Sequence, residues 1–530
     1  MASPLDFLHG IDVIEVVDAT RPIRTVRSSV VGLVGTAGKG GNAPVLILGS
    51  RREAVAAFGR NRNDGFTIPA ALDAIFDQVG AMVVVINAMP TENNTAEIEA
   101  SEEVKLAPNL GRLAHGFVSN FTPALTGIFA PVVIVTAGQV SIPSGATLTS
   151  VKNAATGVVI APQGGGGYSS ESLPVGLRVI VTYSVSSLTA GTDYVLNAEE
   201  GTITRVSGGK LLPNATFTVT TYDYIDPSIC TSSDIIGEVT DDGQMLGIQG
   251  LIAAKANVFV QPRIIVAPGF THTKPDAATR NPVVSELLTI IARLKAVAVV
   301  DCPNTNREEA IAHRTDFEDD RLYFHYPWYR VLAPGSDGEF IAQAPSARIA
   351  GIISRADNES GFWFSPSNRQ VNGIVGITKP IDFSLNDPNC EANYLNSNWV
   401  STTIYEQGFR LWGNRVSSGT FLSVRRTADM VEESVMYAHL WAVDQNITRG
   451  YVESIVNGVE AYLRYLTSVG AILGGRAWAD RELNTPTVLA DGHLFIDFEF
   501  TAAPPAERVT FRAHLVNTYL SEVIAVEADS

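Results

Sequence analysis

The residues whose types and spacing suit chemistry fall into a few groups. Asp301 and Cys302 close an apolar run, and His313 follows eleven residues later, an order that a nucleophilic thiol and its base can use. A lone cysteine in apolar surroundings reads first as a small packed side chain, however. Gly32-Leu-Val-Gly-Thr-Ala-Gly-Lys39-Gly40 suggests a phosphate loop, but Gly40 stands where that loop needs the magnesium-binding Ser or Thr. Nor does the stretch satisfy G-x-G-x-x-G, and it reads as a tight strand-to-loop turn. Asp316, Glu318, Asp319 and Asp320 crowd together without the spacing of a calcium loop, which points to a solvated acidic loop or an ionic contact with a neighbouring subunit. The eight histidines include no H-x-x-x-H pair for zinc. Tyr323-Phe-His-Tyr-Pro-Trp-Tyr329 could stack a base or a sugar, yet beside a strand pattern on an acidic chain it reads as core. No G-x-S-x-G elbow is present. Catalytic, cofactor-binding and metal-binding residues are therefore all expected to be none, and the balance moves toward assembly.

Bulk properties agree. The chain has 530 residues, room for two to four cores, with 45% hydrophobic and 18% charged residues, as in a packed globular protein. Its 45 glycines and 27 prolines are dispersed and make no linker. The formal charge of -17 argues against general nucleic-acid binding, because counterion release needs clustered Lys and Arg. The basic clusters Arg51-Arg52 and Arg425-Arg426 are only pairs and read as solvated surface. Cys230, Cys302 and Cys390 lie far apart, which fits a reducing compartment. The N-terminus lacks the order of a signal peptide, and no apolar run reaches the length of a spanning helix, so no membrane insertion is expected.

The elements needed to position such residues alternate in type. Residues 11–18 are strand-like, and Pro22 marks a break. Runs at 29–36, 45–48 and 81–87 read as strands, the last as one covered on both faces, with helices at 51–58 and 68–78 between them. From 98 to 228 short alternating runs rich in Gly, Ser, Thr and Val predict a small β-sandwich or barrel, with the tetraglycine 164–167 as a loop tip. The α/β pattern then resumes: partly helical at 233–254, strands at 262–268 and 295–301, a helix at 285–294. Two long helices are expected over 431–447 and 452–472, the second stopped by Gly474-Gly475. Strands follow at 493–500, with Leu494, Ile496 and Phe498 on one side, and at 509–515, with Val509, Phe511 and Ala513 on one side. Pro504-Pro505 separates them, and they are expected to pair antiparallel. Residues from 516 onward, including Val516, Tyr519 and Leu520, run past this pair with no evident partner in the chain.

Several stretches in order resemble the sheath proteins of contractile-tailed temperate phages and R-type tailocins. They are His9-Gly-Ile-Asp-Val-Ile-Glu15, Arg21-Pro-Ile23 and Ser28-Ser-Val-Val-Gly-Leu-Val-Gly-Thr36; then Tyr222-Asp-Tyr-Ile-Asp-Pro227, Asp234-Ile-Ile-Gly237 and Ile264-Ile-Val-Ala-Pro-Gly269. Tyr326-Pro-Trp328, Pro345-Ser346, Ala350-Gly351, Asp357, Gly361-Phe-Trp-Phe-Ser-Pro-Ser367, Asn372-Gly373 and Gly408-Phe-Arg-Leu-Trp-Gly-Asn414 complete the series. The resemblance implies an α/β core, a mixed sheet with flanking helices, made of 27–97 plus 229–515. It also implies an inserted all-β domain at 98–228, an N-terminal arm at 1–26 and a C-terminal arm at 516–530. Ile11, Val13, Glu15 and Val17, with Val516, Tyr519 and Leu520, would then be inter-subunit strands, and the strands at 493–500 and 509–515 their acceptors. Further implications are a homo-oligomer of hexameric rings around a tail tube protein, with baseplate and tail terminator partners and no direct nucleic acid. The particle would be a virion tail assembled in the host bacterial cytoplasm and contracting to drive the tube through the envelope. Two other readings are an α/β enzyme acting through Cys302 or the Asp316–Asp320 cluster, and a receptor-binding tail module, against which the lack of internal repeats weighs.

Overall fold

The computed structural model describes residues 23–90, 95–98, 102–123, 132–135, 143, 146–160, 174–185, 188–276, 279–335 and 338–523. Ile11, Val13, Glu15, Val17 and the tetraglycine lie outside them. The centre is an eight-stranded sheet built from β1 (Val31–Gly35), β2 (Val45–Leu48), β3 (Met82–Asn87), β4 (Ile264–Val266), β5 (Val297–Asp301), β6 (Leu322–His325), β7 (Val400–Tyr405) and β8 (Phe409–Trp412). Its order is β2-β3-β1-β4-β5-β6-β7-β8. The six inner strands are parallel, and β2 and β8 run antiparallel at the two edges.

Helices α1 (Arg51–Phe58), α2 (Thr67–Phe76), α3 (Gly250–Val258), α4 (Pro282–Leu294), α5 (Arg307–Thr315) and α6 (Ser346–Glu359) cover both faces. Alternate strand residues feed opposite layers. Val84, Ile86, Ala298 and Val300 pack with α3, α4 and α5, whereas Val83, Val85, Val297 and Val299 pack with α1, α2 and α6. This is why the strands read as unbroken apolar runs. Asp301, fully buried at the end of β5, accepts from the Ser346 backbone N–H (2.7 Å) and hydroxyl (2.8 Å), so a strand-end carboxylate caps α6.

Between β3 and β4, every strand and helix described from Thr95 to Ile225 is a strand. Thr95–Ile98 pairs antiparallel with Tyr222–Ile225, so the chain enters and leaves this region through neighbouring strands. Its own core includes Val104, Val151, Val181, Tyr183, Phe217 and Tyr222. It meets the α/β layers at the loop after α1, where Arg62 donates to the carbonyls of Leu113 and Glu200 and Phe117 packs edge-on against Phe66.

After β8 come α7 (Leu422–Ala438), α8 (Arg449–Ser468), β9 (Ile472–Ala479) and β10 (Ile496–Ala502). Both helices begin and end before the spans expected from sequence. The expected pairing of 493–500 with 509–515 is overturned: β10 pairs antiparallel with β9, from Ile472↔Ala502 to Ala479↔Ile496. Gly474-Gly475 does not end a helix but lies in β9. A side chain at Gly475 would meet the Glu499 carbonyl, Phe500 and Leu463, so the glycine permits the close approach of α8 and β10. Val509, Phe511 and Ala513 therefore belong to no strand, and the exposed tail begins near residue 503 rather than 516.

Candidate assembly surface

The chemistry-bearing groups of the sequence resolve into packing. The Cys302 thiol is buried, pushed well up by desolvation, and faces the Ala310 carbonyl at 3.8 Å. His313 is turned to the Thr271 carbonyl at 2.8 Å, and burial lowers it to about 4. Thiol and imidazole form no nucleophile–base pair. The Gly-rich loop is closed on itself: Asn87 accepts from the Ala37 N–H and donates to the carbonyls of Ala37 and Gly40. The Thr36 N–H is taken by Thr67. The Thr36 and Ala37 N–H groups, at the start of the loop, are thus already bonded. The acidic cluster divides into separate contacts, Asp316 with Lys274, Asp319 with the Arg321 N–H, and Asp320 with Arg425. Tyr323, Phe324, His325, Tyr326 and Tyr329 are core, as expected.

Charge gathers instead on α7. Arg425 and Arg426, expected at the surface, are only 20% and 4% exposed; 425, 429 and 432 share one helical face, and 426 and 433 share the adjoining one. Arg426 is bidentate to Asp357 of α6 (2.7 and 2.6 Å) with side chains only 4% and 1% exposed, and it donates to the Ser28 carbonyl. Asp429 takes both guanidinium nitrogens of Arg321 (2.5 and 2.7 Å) and one of Arg425 (2.9 Å). Glu433 pairs with buried Arg263 at 2.5 Å, and Glu432 with Lys295 at 2.6 Å. These pairs weld the last module to the central sheet.

The first described residues are seated on the same module. Val26 donates to the Ser434 hydroxyl (3.1 Å), Thr25 bonds Tyr462 (3.0 Å), and Ile23 packs with Val26 against the cluster of Val459, Leu463 and Phe498. At the other end Glu507 accepts from Arg415 through both oxygens (2.6 to 3.1 Å), and Arg415 lies 3.9 Å over the Phe421 ring. Beyond this pin the tail stands in solvent, with Val509 66%, Phe511 91% and Leu515 103% exposed. Val516, Tyr519 and Leu520 are exposed as well.

Both chain ends thus depart from a module whose sheet has two strands. Ala477, Ala479, Ile496, Phe498 and Phe500 share the helix-facing side, with Phe498 and Phe500 stacked at 6.2 Å. Arg476 pairs with Glu499 on the other side (2.7 Å). Among the described residues, neither outer edge has a partner strand. Of the expected acceptor residues, Ile496 and Phe498 lie in β10 and Leu494 lies just before it. Missed from sequence were β9, the α7 ion pairs and the Arg415–Glu507 pin. Only the charge spacing on α7 offered a signal.

This arrangement defines an α/β protein that presents an incomplete sheet and an unpaired apolar tail on one module. Comparison with known proteins says which class this is. The profile of the phage tail sheath protein central domain matches residues 218–417, and that of the phage tail sheath C-terminal domain matches 417–515. The tail sheath protein of Burkholderia phage BcepMu is 32% identical over 475 residues, 86% of either chain. That of Escherichia phage P2 is 32% identical over 299 residues, 56% of this chain and 73% of the relative. The helical sheath of the anti-feeding prophage in its contracted state shares the fold, with TM-score 0.51 at 14% identity, covering 96% of this chain and 99% of that one. The chain belongs to the phage tail sheath family and is a structural subunit of a contractile tail sheath.

Proposed function

We propose that the subunits polymerise by exchanging terminal strands. The carrying observation is the β9–β10 sheet, open at both edges, on the module from which both chain ends depart. A two-stranded sheet is marginal alone, and an unprotected edge is a template for another strand. Residues 11–18 of one neighbour, through Ile11, Val13, Glu15 and Val17, and the tail of another add to these edges. Val509, Phe511 and Ala513 move from the acceptor side to the arm, joining Val516, Tyr519 and Leu520. The acceptors are β9 and β10, including Ile496 and Phe498, with Leu494 at their end. Main-chain hydrogen bonds hold such a strand whatever its side chains. Each contributes only about 1 kcal/mol net, but the bonds repeat in every subunit.

On this reading the subunits stack as hexameric rings around a tail tube, between baseplate and terminator proteins, after synthesis in the host bacterial cytoplasm. The welded cores turn as nearly rigid bodies on contraction while the arms keep the mesh connected. The region from Thr95 to Ile225 acts as an inserted β domain on the outside, with the α/β core toward the tube. The role is structural rather than catalytic, in keeping with the family and with the occupied, inward-turned side chains of the sheet ends. The test is a chain ending at Glu507 beside the full chain, viewed by negative-stain microscopy, with circular dichroism to verify folding. Tubes or rings are expected from the full chain and only monomers from the shortened one. Normal tubes from the folded shortened chain would refute the strand exchange.

A further inference from the structure

A groove of about 970 Å³ opens at one end of the hairpin, between the first turns of α8, the last residues of β9 and the connection 480–494. Val452, Val456, Ala477, Ala479, Leu489 and Leu494 contribute to its lining. The same chain carries apolar groups that are largely exposed: Val516, Tyr519 and Leu520 are 55%, 69% and 64% exposed. Tyr519 and Leu520 sit together on the short turn Thr518–Val523.

The chain's own tail is led away from this groove. β10 starts beside it at Ile496 and ends at Ala502, a span of roughly 20 Å at about 3.3 Å per residue. Glu507 is then pinned by Arg415. A tail from another copy has a direct route. Laid antiparallel along the outer edge of β10, residues 509–515 match its seven residues one for one. Residue 516 then reaches Phe495 and Leu494, at the mouth of the groove. Antiparallel pairing is the commoner kind, and the reverse direction would deliver Leu520 to the Ala502 end instead.

We propose that this groove receives Val516, Tyr519 and Leu520 from the tail of a second copy, so that the arm ends in an apolar anchor beyond its strand. The proposal rests on the strand-exchange reading and adds direction, register and a terminal docking site to it. The anchor sets the arm's register, since hydrogen bonding alone tolerates a slip of two residues.

The test uses the full chain with Tyr519→Cys and Leu489→Cys together, assembled and then mildly oxidised. Both positions are at least partly exposed, and the three native cysteines are buried. The expected result is a ladder of covalent multimers on a non-reducing gel, absent from either single variant. Tubes without the ladder, or a disulfide confined to one chain, would overturn the groove assignment. Should the double variant not assemble, benzoyl-phenylalanine at 519 keeps an aromatic there. Its cross-links in mixed light- and heavy-isotope tubes are expected within 447–456 or 477–494 of a different copy. Cross-links elsewhere would overturn the assignment. Failure of strand exchange itself is separate, since it shows as normal tubes from the chain ending at Glu507.

Discussion

Asp357→Ala should loosen the last module from the central sheet far more than the loss of one carboxylate at a surface would. Arg426 is held by two bonds to Asp357, at 2.7 and 2.6 Å, with the pair almost fully buried. Without Asp357 its guanidinium retains, among the bonds described, only the Ser28 carbonyl at 3.1 Å. A buried cation left in that state costs about 3–5 kcal/mol, because desolvation remains and the counter-charge is gone. At about 1.4 kcal/mol per tenfold change, local opening of α7 and its neighbours should become at least roughly a hundredfold more frequent. A protein of several cores has no single unfolding free energy, so regional hydrogen exchange on unassembled protein is the assay. Amides of 422–479 should exchange faster by that factor while those of β1 and β3 stay protected. The exposed pair Arg449–Glu453 supplies the control, and Glu453→Ala should change nothing measurable. The double variant Asp357→Leu with Arg426→Met removes both charges and should recover most of the protection. Less than a tenfold change in Asp357→Ala would refute the weld. A double variant as loose as the single would show that packing, not uncompensated charge, is what was lost.

Three further outcomes can be checked. His325, bonded to Ser401 at 2.9 Å and to Thr403 at 3.2 Å, is lowered by burial to about 3. An unfolded histidine takes a proton near pH 6.5, so stability should fall as pH drops from about 6.5 toward 3, with a slope of up to about 1.4 kcal/mol per pH unit. His325→Gln should flatten that slope, and an unchanged slope would refute the assignment. Asp301 opposes it. Its carboxyl is raised by burial to about 6, so its contribution is full below about pH 4 and is lost as pH rises through 6. Asp301→Asn should therefore steepen the acid-side fall. As for the thiols, Cys230, Cys302 and Cys390 are all buried, so a thiol reagent should label them only after denaturation. Labelling of Cys302 in the native protein at the rate of a free thiol would contradict its place against the Ala310 carbonyl.

The central sheet was legible because its strands are covered on both faces. Runs such as 81–87 and 295–301 have no other comfortable state than a doubly covered strand, and the structure places Met82–Asn87 and Val297–Asp301 there. The last module was less legible for an equally physical reason. Alternation in 494–500 tells which side chains share a face but not which strand lies alongside, and the true partner contains the glycines that look like a helix stop. The inward turn of Arg425 and Arg426 was hidden because a charge is acceptable in a core only when its partner is there. Asp357, the partner of Arg426, and Asp320, a partner of Arg425, lie far away in the chain.

By itself, then, the sequence determined the covered sheet, the strand-rich region between β3 and β4, and the family through the order of its short motifs. Only the tertiary structure decided that β9 completes the hairpin, that buried ion pairs weld α7 to the core, and that the exposed tail begins near residue 503. Local periodicity is written in neighbouring residues. Strand partnership and charge compensation are contacts between residues far apart in the chain, and only folding brings those together.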